Sequence, residues 1–369
     1  MLPSAARGCL VLAVCLIGSA AVAQTLVRVL LDEQPATVLV PFDGPHRGSI
    51  DGNAFATPFA LTWPVSAVGG RLMVDGREVG RQLDLAVDGG VVRYAGRAYR
   101  GVLRLVARGD SVLVVNVVDL ESYLRGVVPA EMQASWPLDA LRAQAVAART
   151  YVLARGSPGA PYDVCATSDS QVYGGVRLEH PRSDQAVADT AGQVLTYGGS
   201  FARTYYHADS GGVIASSAEV WGASIPYLSA FQDVPSNGPH SHWEVRLEPA
   251  VIGAHLSAAG FHVGNVHQVR VLATSESGRV ERLEVSGSSG SVLLGTSDAR
   301  VQVRAWGLKS TRFHMVGDLT IRGGGWGHGV GMSQYGARAL AIAGYGYGQI
   351  LAFYYPETQL QRLGTVAAR

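Results

Sequence analysis

Glu131 sits in the stretch VVPAEMQASW, where Val127, Val128, Pro129, Ala130, Met132 and Trp136 surround a single carboxyl with apolar side chains. Desolvation disfavours the charged form of a carboxyl. A wall of this kind therefore raises its pKa toward the range in which it can act as a general acid. The same spacing also suits a solvated or capping glutamate at a helix start, and the local sequence leaves both readings open.

A second set of candidates lies in RGGGWGHGVGMSQYGARA, residues 322 to 339, where five of the seven residues from 323 to 329 are glycine. So bare a backbone can approach a ligand closely and hold Trp326 and His328 at its edge. It can equally be a turn-rich connection with a core tryptophan and a hydrogen-bonded histidine. No Lys-Ser or Lys-Thr follows the glycines, which argues against a phosphate loop. A third set, Gln171 and Tyr173 in ATSDSQVYGG with Tyr206 and Ser210 in YYHADSGG, has the hydrogen-bonding groups that bind sugars, as do many protein surfaces. His207, His240, His242 and His328 form no HExxH pattern, and Ser210 lacks the G-x-S-x-G turn. Zinc hydrolysis and serine nucleophilic catalysis are both weakly supported.

These groups must be positioned by a chain of 369 residues, 47% hydrophobic and 16% charged, with 46 glycines and a net charge of +1. That composition supports a substantial core in one large or two modest domains. It gives no electrostatic reason to expect a nucleic-acid partner. Residues 25 to 118 read as short strands (TLVRVLL, ATVLVPF, RLMVDGREVG, VVRYAGRAY, GVLRLVARGDSVLVVNVV), with turns at Asp75-Gly76 and Gly109-Asp110. Asp119 is placed to cap a short helix, LESYLRG, that Gly126 would stop. Pro137 and Asp139 then open a longer helix to about Arg155, with Leu138, Leu141, Ala145, Ala148 and Val152 on one face and Arg142 and Arg149 sharing another. Farther on, VLTY, FARTYYHA, HQVRVLATS, VERLEVSGSSGSVLLG and DLTIRG read as strands, around a helix near 249 to 259. The fold class expected is α+β.

Residues 1 to 23 read as a secretory signal peptide: Arg7 and the amino terminus are the positive flank, Cys9 to Ile17 the apolar run, and Ala21-Val22-Ala23 the cleavage site. An uncleaved anchor is the alternative. After cleavage no stable membrane span is expected. Cys165 would then be the only cysteine, so neither an intramolecular disulfide nor a multi-cysteine metal site is expected.

Taken in order, VVPAEM, SWPLDALRAQAVAARTY, YDVCATSDSQVYGG, YHADSGG, EVWGASIPYLSAFQD, GGGWGHGVGMSQYGA and ILAFYYPETQL make the chain resemble the SpoIID/LytB family. This is the stage II sporulation protein D and amidase-enhancer group of bacterial cell-wall proteins. The likeness covers roughly residues 95 to 359, and implies a β-rich SpoIID-type catalytic domain at 95-360, with one long helix after the catalytic glutamate. A small β-rich unit at 24-94 would precede it. The resemblance implies lytic transglycosylase activity on peptidoglycan glycan strands stripped of stem peptides, with Glu131 as the catalytic acid. It carries substrate binding or support of the site to Arg142 and Arg149, whose guanidiniums suit a lactyl carboxylate. Gln171, Tyr173, Tyr206, Ser210, Trp326, His328 and Gln334 are the further substrate-binding candidates. An N-acetylmuramoyl-L-alanine amidase is a candidate partner, and the expected location is secreted, periplasmic or envelope-associated. A non-catalytic glycan-binding amidase enhancer is the competing reading.

Three departures from the family pattern stand out. Gln133 occupies a common Pro position and Tyr335 a common Trp position. The surroundings of Cys165 lack the further Cys and His with which some relatives hold zinc, so no metal or cofactor is expected.

Overall fold

A computed structural model describes residues 25 to 156 and 159 to 364 of the chain. The segment read as a signal peptide lies outside the described residues. The architecture is mixed α+β. Its largest sheet has seven strands in the order Val164–Cys165, Leu26–Gln34, Ser111–Asp119, Val102–Arg108, Gln82–Ala86, His46–Ile50 and Asn53–Thr57. All neighbours are antiparallel except the first pair. A four-stranded sheet, Val38–Phe42, Leu61–Val68, Arg71–Val74 and Arg77–Gly80, shares its core.

Ser111–Asp119 is buried on both faces, as its nearly unbroken run of valine and leucine requires. One face, with Val112, Val114 and Val118, joins the main core, and the other, with Leu113, Val115 and Val117, packs near Leu30 and Tyr162. The expected division at 94/95 does not separate two cores. Leu26–Gln34 pairs with the strand Ser111–Asp119 from Val112 to Asp119, and Val27 and Val29 are buried in one cluster with Leu124, Val128 and Ala148. The strand-rich start is therefore continuous with the layer that carries the helices.

The helices are α1 (Leu120–Glu131), α2 (Leu138–Arg155), α3 (Pro181–Asp189), α4 (Ser217–Trp221), α5 (Pro249–Ala258), α6 (Thr296–Ala305), α7 (Gln334–Ile342) and α8 (Tyr347–Tyr354). Asp119 caps α1 as expected, accepting from the Glu121 and Ser122 amides at 3.1 and 3.2 Å. The helix does not stop at Gly126. That glycine lies inside the helix, because a Cβ there would come within 2.6 Å of the Tyr173 ring. Pro129 removes one donor from the last turn, but Met132 N–H still reaches the Val128 carbonyl at 2.9 Å and closes it. Glu131 is thus the final residue of α1 rather than part of a loop after it.

Helix α2 is buried nearly all round, from Ala140 to Val152, where a single apolar face was expected. Its small residues let α1, α3, α7, α8 and the strand Gln193–Tyr197 close on it from several sides.

Residues 243 to 321 build a core of their own from α5, α6 and short sheets, around Leu283, Ile252, Leu294 and Ile321. One continuous domain at 95-360 is the expectation for this part. Its alternating strands are legible in the sequence, while the separateness of its core is not.

Candidate functional site

The Glu131 carboxyl is held by two donors from distant parts of the chain. The Val172 amide reaches Oε1 at 2.9 Å, and the Gln334 side-chain amide reaches Oε2 at 3.1 Å. Gln334 opens α7 directly after Ser333, whose hydroxyl caps that helix by accepting from Gly336 N–H at 3.1 Å. The two grips join α1, the loop before residue 173 and α7 at one carboxyl.

Glu131 is half-buried, so it is enclosed yet reachable. Desolvation by its apolar wall pushes the carboxyl above the ordinary glutamate range, while Val172, Gln334 and the nearby Tyr206 oppose the rise. The Tyr206 hydroxyl is itself buried and completes no full hydrogen bond. No ion pair reaches Glu131 among the described residues, and the last turn of α1 carries no basic residue. The negative end of the helix dipole also disfavours an anion at that position. A carboxyl held by neutral donors, in no ion pair, is suited to both giving and taking a proton.

The other sequence candidates divide sharply. Arg149 is completely buried. Its guanidinium meets Glu121 in a bidentate pair at 2.8 and 2.6 Å, and donates to the Gln193 carbonyl at 3.1 Å. It is a structural cation, and as such supports α1 rather than facing a substrate. Arg142 is held by Asp189 at 2.6 Å and by Asp139 at 3.3 Å, joining α2 to α3. The two arginines were expected to share a face, but neither extends freely beside Glu131. Their charges are spent within the fold because the helix that carries them is enclosed.

Gln171 points inward, opposite to the Val172 amide. It accepts from Tyr123 at 3.0 Å and donates to the Ala148 carbonyl at 3.3 Å. Tyr173 is buried with its hydroxyl on Asn116 at 2.9 Å, and Ser210 is buried with its hydroxyl on Asp233 at 2.6 Å. These three stand as positioning or core groups rather than sugar contacts. Gln334 and Tyr206 gather at the carboxyl, whereas Trp326 and His328 lie on a neighbouring surface. Trp326 is 47% exposed, and the His328 ring packs at a tilt against Trp221 at 5.2 Å and His207 at 5.5 Å.

The glycines of residues 323 to 331 serve packing of the chain against itself. Gly325, at φ +85, would put a Cβ 2.7 Å from the Asp209 carbonyl. The same strand-like contact pairs Asp209 with Trp326 through both backbone amides. Gly329, at φ +84, leaves room for the buried Arg279 guanidinium. His328 accepts from Val330 N–H at 3.0 Å, and burial with Arg279 nearby lowers its pKa to about 4, so the ring is neutral at physiological pH.

Tyr335, at a usual Trp position, keeps the aromatic contact by packing on Trp136 at 4.9 Å. Sequence reasoning missed the Val172 amide as a site group, since a backbone donor has no side-chain signature. It also missed Trp221, although EVWGASIP was among the quoted blocks.

The family model described as Stage II sporulation protein matches residues 108–197, and a model described as a domain of unknown function matches 242–331. The second span coincides with the separate core at 243 to 321. An uncharacterized protein of Brachyspira hyodysenteriae is 30% identical over 343 residues, covering 90% of this chain and 92% of that relative. The amidase enhancer of Bacillus subtilis is 35% identical over 286 residues, 64% of this chain, though the match spans only 40% of that protein. Stage II sporulation protein D of Bacillus subtilis is 30% identical over 272 residues, covering 67% of this chain and 75% of that relative. Together with the Glu131 segment lying inside the matched span, these likenesses establish that the chain belongs to the SpoIID family.

Proposed function

We propose that the protein is a lytic transglycosylase that cuts the MurNAc-GlcNAc linkages of peptide-stripped peptidoglycan strands and leaves 1,6-anhydro ends. The observation that carries this reading is one partly enclosed carboxyl, raised in pKa, with neutral donors on both oxygens and no ion pair among the described residues. A hydrolase of the two-carboxylate type needs a second free acid about 5 to 9.5 Å away. Glu121 cannot serve as that acid while Arg149 holds both of its oxygens.

In the proposed reaction Glu131 protonates the glycosidic oxygen as the bond to C1 breaks. The resulting carboxylate then takes the proton from the muramic acid 6-hydroxyl, whose oxygen attacks C1 and closes the anhydro ring. The substrate supplies its own nucleophile, which is held beside C1 by the ring it belongs to. Val172 N–H and Gln334 stabilise the carboxylate between the two transfers, and desolvation favours its reprotonation. Mass spectrometry of fragments released from amidase-treated glycan tests this directly. Anhydro ends are expected, and reducing ends in their place would refute it.

A second reading is favoured by the likeness to an amidase enhancer. On that reading the protein binds glycan and stimulates an N-acetylmuramoyl-L-alanine amidase without cleaving the strand. Amidase stimulation that survives Glu131→Gln, with no glycan fragments released by the unsubstituted chain, would select it. In either case the place of action is the cell envelope. Among the described residues no helix is long and apolar enough to cross a membrane.

A further inference from the structure

A cavity of about 580 Å³ lies between α4, α6 and the stretch from Trp326 to His328. Its size falls within the roughly 300–1,000 Å³ usual for small-molecule sites. Neither Glu131 nor Gln334 lines it, so the acid site does not account for it. The two places nevertheless adjoin. Ser168 and Asp169 in the cavity wall belong to the loop whose Val172 amide holds Glu131. Tyr205, next to Tyr206, packs on Trp221 at 4.5 Å and on His328 at 6.3 Å, and both of those rings face the cavity.

The lining is unusual in three respects. First, Trp221 and Trp326 are 37% and 47% exposed, two large aromatic surfaces left in contact with solvent at the rim. Flat aromatic faces with a few polar groups beside them are a common way to hold a ring. Second, three of its cations, Lys309, Arg300 and Arg279, form no ion pair with a carboxylate among the described residues. Lys309 Nζ rests 3.1 Å from His240 Nδ1 and 5.8 Å from the Trp326 ring, while Arg300 donates to the Val220 carbonyl at 2.9 Å. Arg304 has a loose pair with Asp169, 3.6 Å apart on exposed side chains, and a long hydrogen bond to the Ser168 hydroxyl at 3.4 Å. Third, Glu219 holds the Ser277 amide on Oε1 at 3.2 Å, but its buried Oε2 has no donor. A buried acceptor without a donor is destabilising unless something supplies one.

We propose that this cavity is a second glycan subsite, which takes an N-acetylated sugar bearing a free carboxylate. The Arg304 and Lys309 cations receive the carboxylate, Trp221 and Trp326 receive the ring faces, and Glu219 Oε2 accepts from a sugar N–H or O–H. The inference rests on the glycan-binding reading above and moves recognition of the carboxylate away from Arg142 and Arg149. Those two are committed to Asp189 and Glu121. Arg304 and Lys309 come from the span matched by the model of unknown function, which would make that region the reader of peptide-stripped strands.

The test is calorimetric binding of peptide-free glycan oligomers to the full chain carrying Glu131→Gln, which removes cleavage. The same oligomers after carbodiimide-mediated reduction of the lactyl carboxylates to alcohols serve as the second probe. Native oligomers are expected to bind about tenfold more tightly than reduced ones. Adding Arg304→Ala and Lys309→Met should erase that difference while leaving the reduced oligomers' affinity unchanged. An unaltered melting temperature confirms that the two substitutions do not unfold the chain.

Equal affinity for both probes, equal weakening of both by the substitutions, or no saturable binding of the native oligomers would each overturn the subsite. The outcome separates from that of the proposed reaction. Carboxylate-dependent binding without anhydro products would sink the transglycosylase and leave the subsite standing. Anhydro products with no effect of the Arg304 and Lys309 substitutions would do the reverse.

Discussion

The two ends of helix α1 carry one glutamate each, eleven positions of chain spanning both, and the fold treats them in opposite ways. Glu121, in the first turn, lies at the positive end of the helix dipole and gives both oxygens to the buried guanidinium of Arg149. Glu131, at the last position, lies at the negative end and meets neutral donors, an amide from Val172 and an amide from Gln334, with the Tyr206 hydroxyl nearby. The first environment sets the carboxylate against a buried guanidinium. The second tolerates an anion without insisting on it, and a group with both protonation states accessible is what acid-base chemistry requires. Sequence type and helix membership are the same for the two residues, so the difference comes from the partners that distant segments bring.

The largest effect should come from removing the second glutamate's proton. Glu131→Gln keeps size and an acceptor for Val172 but cannot protonate a leaving oxygen. Release of anhydro fragments should fall about 10²- to 10⁴-fold, the usual contribution of a positioned general acid. Undiminished release, followed by mass spectrometry, would break the contrast between the two ends.

Next in size is the converse experiment. Glu121→Gln leaves the fully buried Arg149 charge without its counter-ion, and thermal unfolding should show a loss of about 2–4 kcal/mol. This lies near the low side of the range for breaking a buried pair, because Glu121 keeps 35% of its side-chain exposure. Turnover per folded molecule should change little, since Glu121 acts through the packing of α1 on α2. A variant with normal stability and lost turnover would instead place Glu121 in the chemistry.

A smaller effect is expected from Gln334→Ala. The Gln334 amide donates to the carboxylate and so favours the charged form of Glu131. Without it the carboxyl pKa rises further, and the alkaline limb of the pH–rate profile should move to higher pH. Loss of one hydrogen bond should also lower turnover at the optimum by about three- to tenfold. A limb that moves toward acid would mean that the donor is not acting on Glu131.

How much of this was legible beforehand follows from the same contrast. The carboxyl, its apolar neighbours and Gln334 all stand in contiguous motif blocks, and strands such as Val38–Phe42 and Val102–Arg108 show their period directly in alternating side chains. The roles of Arg142 and Arg149 did not follow from their seven-residue spacing. Spacing places two residues on one side of a helix, but it does not say that α3 and Glu121 will close over that side. Gly126 misled for a related reason: glycine ends helices by adopting a left-handed conformation, but here it makes room for the Tyr173 ring. The short α7 and α8 and the strands between residues 46 and 68 lack a strong period. Their existence depends on tertiary partners that a local window does not contain.

The finest test of the comparison is the dependence of stability on pH. Glu131 has a folded-state pKa raised by desolvation. Its folded form therefore binds a proton more tightly than the unfolded chain does. That contribution is fully present below the unfolded glutamate pKa and is lost as pH rises through the higher folded value. Glutamine in its place carries no charge at any pH and escapes the loss. The melting temperature of Glu131→Gln should match that of the unsubstituted protein in acid, and exceed it at and above neutral pH. The same variant that loses catalysis should thus be the more stable one, whereas Glu121→Gln should be the less stable. If Glu131→Gln were instead destabilised progressively as pH rises, the carboxylate would be the favoured form in the fold. The helix would then hold two structural anions, with no proton donor at its end.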